Sequence, residues 1–174
     1  MGVHRYRIWN GAMPTTAAMA AVTTGTAIKT MLQVAAPATR QITILGWGYS
    51  LDDPPGADAV IERIETDVAA TVTAHIASGV VKLVPGIPAS LLTLGVSATG
   101  YTASAEGATT ATRLIDTKSV SSVSAEAAPW MSYDKSFERD EVVLPVLDIS
   151  KFLRVRVTTP TTAVDMRCYI DVEE

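Results

Sequence analysis

The chain is short of almost everything that supports chemistry at a protein surface. Among its 174 residues there is one cysteine and there are two histidines; aromatics make up 6% and charged residues only 18%. A lone Cys168 excludes an internal disulfide framework. His4 and His75 stand 71 positions apart, so neither sits in a zinc-ligand spacing such as CxxC or HxxxH. No phosphate-binding loop, GxGxxG fingerprint or GxSxG elbow occurs. A long hydrophobic run is missing too. An uncharged stretch near the front, Gly11 to Ile28, is an Ala/Thr/Met mixture broken by Pro14, Thr15, Thr16, Thr23, Thr24 and Gly25. A spanning helix needs roughly 20 predominantly apolar residues, so no membrane partner is expected. No apolar h-region follows Arg5 and Arg7, so export through a signal peptide is not expected either.

What is present is apolar: 48% of the residues are hydrophobic and the mean hydropathy is +0.25. A soluble chain with so few charges is weakly protected against association, which points to a protein whose surface is covered by other protein chains. The net charge is −4 and uneven: residues 1–56 carry +2 and the remainder −6. Neither part shows the clustered Lys/Arg of a nucleic-acid footprint, so no nucleic-acid partner is expected.

Period-two alternation predicts strands. In Phe152–Thr158, Leu153, Val155 and Val157 face one way and Arg154 and Arg156 the other. Met166, Cys168, Ile170 and Val172 alternate with Arg167, Tyr169 and Asp171, which makes Cys168 a core residue. The Thr-Thr-Pro-Thr-Thr stretch between these two runs reads as the turn of a terminal hairpin. Further candidates are Arg5–Trp9, Thr26–Val34, Gln41–Leu51, Val60–Val68, Arg113–Lys118 and Val142–Leu147. Gly46 and Gly48 suggest a bulge or a close backbone approach. Ala69–Gly79 reads as either helix or strand, and Ser97–Thr112 as a long loop or edge region. The expected fold is all-β: one antiparallel β-sandwich domain over 1–174, jelly-roll-like, with about eight strands. Residues 1–25 are expected to form an N-terminal arm packing on neighbours.

Acidic groups occur as Asp52-Asp53, Glu62/Glu65/Asp67 and Glu138/Asp140/Glu141. Paired carboxylates can serve glycoside hydrolysis or bind calcium, but these lie where turns and solvated loops explain them. No catalytic residue, metal site or cofactor is expected, and the chain reads as no enzyme. Trp130, Met131, Tyr133 and Phe137 cluster after Pro129 as an interface anchor or a core plug. Arg5, Tyr6 and Arg7 are further interface candidates, whereas Trp9 and Trp47 are assigned to the core.

Several segments also carry a family likeness. Arg5 to Gly11 (RYRIWNG), Met13 to Ala18 (MPTTAA) and Ala21 to Val34 (AVTTGTAIKTMLQV) resemble the opening of a family of small structural proteins from tailed phages of actinobacteria. Glu65 to His75 (ETDVAATVTAH) and Thr93 to Gly107 (TLGVSATGYTASAEG) resemble its middle, and Lys151 to Val157 (KFLRVRV) its end. The resemblance implies a virion component on the capsid surface, made in the host cytoplasm. Its implied role is a decoration or cement protein that binds the major capsid protein and itself, as a homotrimer. A tail or baseplate protein with carbohydrate-binding loops is the alternative. The resemblance brings no catalytic residues.

Overall fold

The computed structural model describes residues 4–108, 110–123, 128–132 and 144–174. Two antiparallel sheets face each other. The first holds β1 (Arg5–Trp9), β2 (Val22–Thr23), β4 (Ile42–Leu51), β7 (Val80–Lys82), β10 (Ala128–Ser132), β11 (Val146–Leu147) and β13 (Asp165–Glu173). Its neighbour order is β10-β4-β13-β1-β7, with β11 alongside β4 and β2 alongside β13. The second sheet holds β3 (Lys29–Ala35), β5 (Ala59–Thr66), β6 (Thr71–Ala74), β8 (Gly100–Ala105), β9 (Arg113–Val120) and β12 (Phe152–Thr158), in the order β6-β8-β3-β12-β5-β9. The protein is thus a β-sandwich, with thirteen strands among the described residues rather than about eight. The surplus comes from short pieces such as β2, β7 and β11, too brief to show a period.

Alternation places the core. On β1, Tyr6 and Ile8 point inward; on β13, Met166, Cys168, Ile170 and Val172 meet Leu153, Val155 and Val157 of β12 in one apolar cluster. Burial pushes the Cys168 thiol far above its ordinary pKa, so it packs as a small apolar group. Trp47 is in the core as expected, whereas Trp9 is on the outward face of β1, because Ile8 beside it takes the inward position. Tyr6, expected at an interface, is only 1% exposed for the same reason, and its hydroxyl donates to Pro88 O at 3.1 Å.

The terminal hairpin does not form. β12 pairs with β3 and β5, while β13 pairs with β1 and β4, so the chain crosses between sheets after Thr158. Both strands present an apolar stripe, and two stripes satisfy each other better face to face across the core than side by side in one sheet. Ala69–Gly79 resolves into β6 and a single 3-10 turn (Ala77–Gly79), because Val72 and its neighbours find a ladder on β8. Ser97–Thr112 contains β8, and of Val142–Leu147 only β11 is a strand among the described residues. β1 is no free arm; it lies between β13 and β7.

Gly46 and Gly48 play both roles foreseen for them. The β4–β13 register slips at Asp171/Val172, opposite Gly46. A Cβ on Gly48 would come within 2.7 Å of the Tyr169 ring, so the glycine lets that ring lie against the sheet. Above it, the Arg7 guanidinium sits 4.1 Å from the Tyr169 centroid and bonds both Asp171 carboxylate oxygens at 2.7 Å.

Arg154 departs most from the two-faced reading. It points away from the core as the alternation requires, yet it is fully buried, because residues 67–70 and 105–108 fold over it. Its guanidinium donates to the carbonyls of Val68, Glu106 and Ala108 and pairs with the Glu106 carboxylate at 3.6 Å. Gly107, at φ +61°, makes the turn that brings these carbonyls down. Beside it, Gln33 accepts from Ala70 N–H at 2.8 Å and donates to Ala98 O at 2.7 Å. A charge that ties down three carbonyls is costly to delete, since its partners then lose their donor inside the protein. Arg154→Ala is expected to lower unfolding free energy by about 3–5 kcal/mol. Lys151→Ala, which breaks the solvent-exposed pair with Asp67, is expected to cost less than about 1 kcal/mol. Urea titration of the two variants checks this; equal losses would contradict the clamp.

Candidate interaction surface

Charge is distributed along the chain in blocks, and folding gathers the empty blocks together. From Ile8 to Ile28 there are 21 residues without Asp, Glu, Lys or Arg. From Val68 to Ala105 there are 38 residues with Lys82 as their single charge. The whole chain has 32 such residues, so one third of the sequence holds one of them.

In the fold these two runs become neighbours. β6 is an edge of the second sheet and β7 an edge of the first, and the short 3-10 turn between them closes that side of the sandwich. The connection from β7 to β8 lies along the same side, anchored by Leu83 N–H on Arg5 O and by Thr93 N–H on Ala35 O. The stretch from Asn10 to Thr24 is held at both ends. Asn10 imitates a strand residue, accepting from Cys168 N–H at 2.8 Å and donating to Met166 O at 3.0 Å. Thr24 exchanges bonds with Val164, and Arg167 holds Met19 O at 3.2 Å between them. Between these anchors, residues 12–18 are exposed and border a cleft of about 320 Å³ that Tyr101 of β8 also lines. Residues 25–29 similarly lie along Ala103–Glu106.

The result is one flank of the sandwich that is almost free of charge and rich in exposed aliphatic groups. Nine of the thirteen exposed large apolar side chains among the described residues lie in these two runs, led by Ile76 at 70% and Val96 at 60%. Contiguous apolar surface depleted of charge is the compositional mark of an interface core. Single aliphatic side chains on a surface are ordinary; their concentration here is not.

His75 is the joint of this flank. It is buried against Tyr101, with ring centroids 4.9 Å apart, and its Nε2 is 2.6 Å from Trp9 O. A carbonyl only accepts, so Nε2 carries the proton and donates, linking β6 of one sheet to β1 of the other. Gly79 packs against the ring so closely that a Cβ there would collide with Nδ1. Burial holds the His75 pKa below its ordinary value.

The residues singled out in the sequence lie elsewhere. Trp130 and Met131 are on β10, at the opposite edge of the first sheet from β7, with Met131 opposite Trp47 in register. Tyr133 and Phe137 lie outside the described residues, as do Glu138, Asp140 and Glu141. Arg5 and Arg7 do reach the surface, where they pair with Glu173 and Asp171 on β13. Among the remaining acidic groups, Glu62 pairs with Arg156, Glu65 with Arg113, Asp67 with Lys151 and Asp52 with Arg167. No group of three or more His, Cys, Asp or Glu capable of holding a metal occurs among the described residues. The flank itself was open to detection in sequence, by counting charges along the chain; what that count lacks is the adjacency of the two runs. No family model, curated protein or solved structure matches this chain.

The buried imidazole generates a pH dependence. Because its folded pKa is depressed, protonation favours the unfolded chain, in which His titrates near 6.5. The stabilisation is complete above that value and declines as pH falls through it toward the folded pKa. Unfolding free energy measured in urea should therefore drop between pH 7.5 and 5.5, by at most about 1.4 kcal/mol per pH unit from this one group. His75→Gln should flatten that slope; an unchanged slope would contradict the assignment.

Proposed function

We propose that this chain is a structural protein of a tailed-phage virion: a capsid decoration or cement protein that binds the shell of the major capsid protein and associates with itself. The observation that carries the reading is the uncharged flank, a surface suited to permanent coverage by protein. The stretches that resemble small actinobacteriophage structural proteins add to it, since Met13 to Ala18 and Thr93 to Gly107 both fall within or beside that flank.

The strand order lends support of a second kind. Eight strands give the neighbour orders β1-β13-β4-β10 and β3-β12-β5-β9, alternating between sheets along the chain except at β5 and β9. We read this order as the winding of two interlocked Greek keys, the jelly roll of viral capsid domains, which lectins and cupins share. A fold-level likeness of this sort is an analogy and carries no activity of its own. The side-chain chemistry agrees with adhesion: Glu62, Glu65 and Asp67, on β5 and just after it, are each engaged by Arg or Lys rather than aimed together into a cleft.

A cement protein works by linkage. Contacts made only with the assembled shell stabilise it by mass action, and many weak copies act together through avidity. Particles lacking the protein are expected to assemble and then release their genome at a lower temperature than complete particles. Heating both kinds and following dye access to DNA checks this. Equal release temperatures, or a copy number far below that of the capsid subunit, would overturn the cement role and favour a tail or baseplate position.

A further inference from the structure

We infer that the uncharged flank is the contact between copies of this chain, packed flank against flank about a closed symmetry axis. This deepens the self-association in the reading above, and it concerns the purified chain alone, without any shell.

Three observations select a second copy as the occupant. The first is complementarity of charge. A partner that placed carboxylates or ammonium groups on this flank would strip them of water and offer them little in return: Lys82 is the one charge of its two runs, and the Glu174 carboxylate that reaches it is already held by Ser90 Oγ and Leu91 N–H. The matching surface must itself be uncharged. On this molecule the other faces are not: the outward face of the first sheet carries the Arg5–Glu173 and Arg7–Asp171 pairs, and the second sheet carries Glu62–Arg156 and Lys151–Asp67. The flank is the surface that suits the flank.

The second is the net field. Lys82 is the one charge within the flank's two runs; Lys29 and Glu106 border it and the Glu174 carboxylate reaches Ser90 and Leu91, so these four sum to zero and the rest of the molecule carries the whole −4. Two copies meeting through any other face bring like-charged surfaces together; meeting through the flank turns them away from each other. The third is the form of the edges. β6 has four residues with two register slips, and β7 has three. Edges this short offer little for sheet extension, so the contact is made by side chains, with Ile76, Leu83, Val84, Leu91 and Val96 standing proud of the backbone. Self-complementary surfaces of this kind close into cyclic oligomers. A lipid surface is a poorer match, since interfacial binding draws on Lys/Arg beside the apolar groups and this flank has a single lysine.

The test uses the full chain in solution. Sedimentation equilibrium of the wild type is expected to give a closed multimer. Ile76→Asp combined with Val96→Glu changes two strongly exposed positions, so folding is preserved, and self-association is expected to weaken about 100-fold or more. Val123→Glu, at an 85% exposed position off the flank, is expected to leave the multimer intact. Mixing the acidic double variant with an Ile76→Lys/Val96→Lys variant is expected to restore a mixed multimer, because opposite charges then face each other across the contact. A monomeric wild type, an unaffected acidic variant, an equal effect of Val123→Glu, or no recovery on mixing would each overturn the inference. Shell binding, measured separately with purified capsids, tests the virion reading; a multimer that ignores shells would sink that reading and leave this one standing.

Discussion

Two strands near the C-terminus hold the sandwich together. β12 is flanked on both sides by β3 and β5, and β13 by β1 and β4, so each is the central member of its sheet. Their inward side chains, Leu153, Val155 and Val157 against Met166, Cys168, Ile170 and Val172, are almost all wholly buried and face one another through the core. Burying each large aliphatic group stabilises the fold by roughly 1.5–3 kcal/mol. Remove this pair and the remaining strands lose both their ladder partners and their common core. Because the partners of β12 and β13 come from distant parts of the chain, nearly every stabilising contact is non-local, a topology that folds slowly for its size.

That arrangement also dictates where polarity must be managed. A central strand has neighbours on both sides, so its outward residues are shielded as soon as a connection folds over them. Arg154 shows the outcome: an outward-facing arginine becomes a buried tie for the segments around Val68 and Glu106. Arg63 is a second case. It lies opposite Val155 on the core side, 5.5 Å from the Trp47 ring, with its pKa pushed down to about 10 by burial and partly restored by Asp116. Trp47 Nε1 donates to that same Asp116 at 3.1 Å. Charge inside this protein organises loops and one end of the core, while one flank outside carries little of it.

The segregation of charge joins the fold to the proposed role. Most soluble chains intersperse charges over the whole surface. Here the acidic and basic groups are paired on the sheet faces, and the side closed by β6, β7 and the connection to β8 is left apolar. Such a surface is a liability for an isolated monomer and an asset for a component that is always covered.

Much of this was legible from residue order alone. Period-two alternation identified β1, β12 and β13 nearly to the residue, because a strand with one face on a core must alternate. Composition indicated an all-β chain rich in apolar surface. Sequence could not decide which sheet each strand joins, since alternation defines two faces of a strand and says nothing about its lateral neighbours. The supposed hairpin of β12 and β13 therefore proved to be a crossing between sheets. Nor could it separate Tyr6 from Trp9, residues of opposite parity on one short strand whose roles depend on which face meets the core. The exposure of an outward residue was equally undetermined, because Arg154 and Gln33 are covered by chain 35 or more residues away in sequence. Two uncharged runs are visible in the sequence; only the tertiary structure lays them side by side, because that adjacency is made by the ladders of β8 on β3 and β6 and by the β1–β7 pairing.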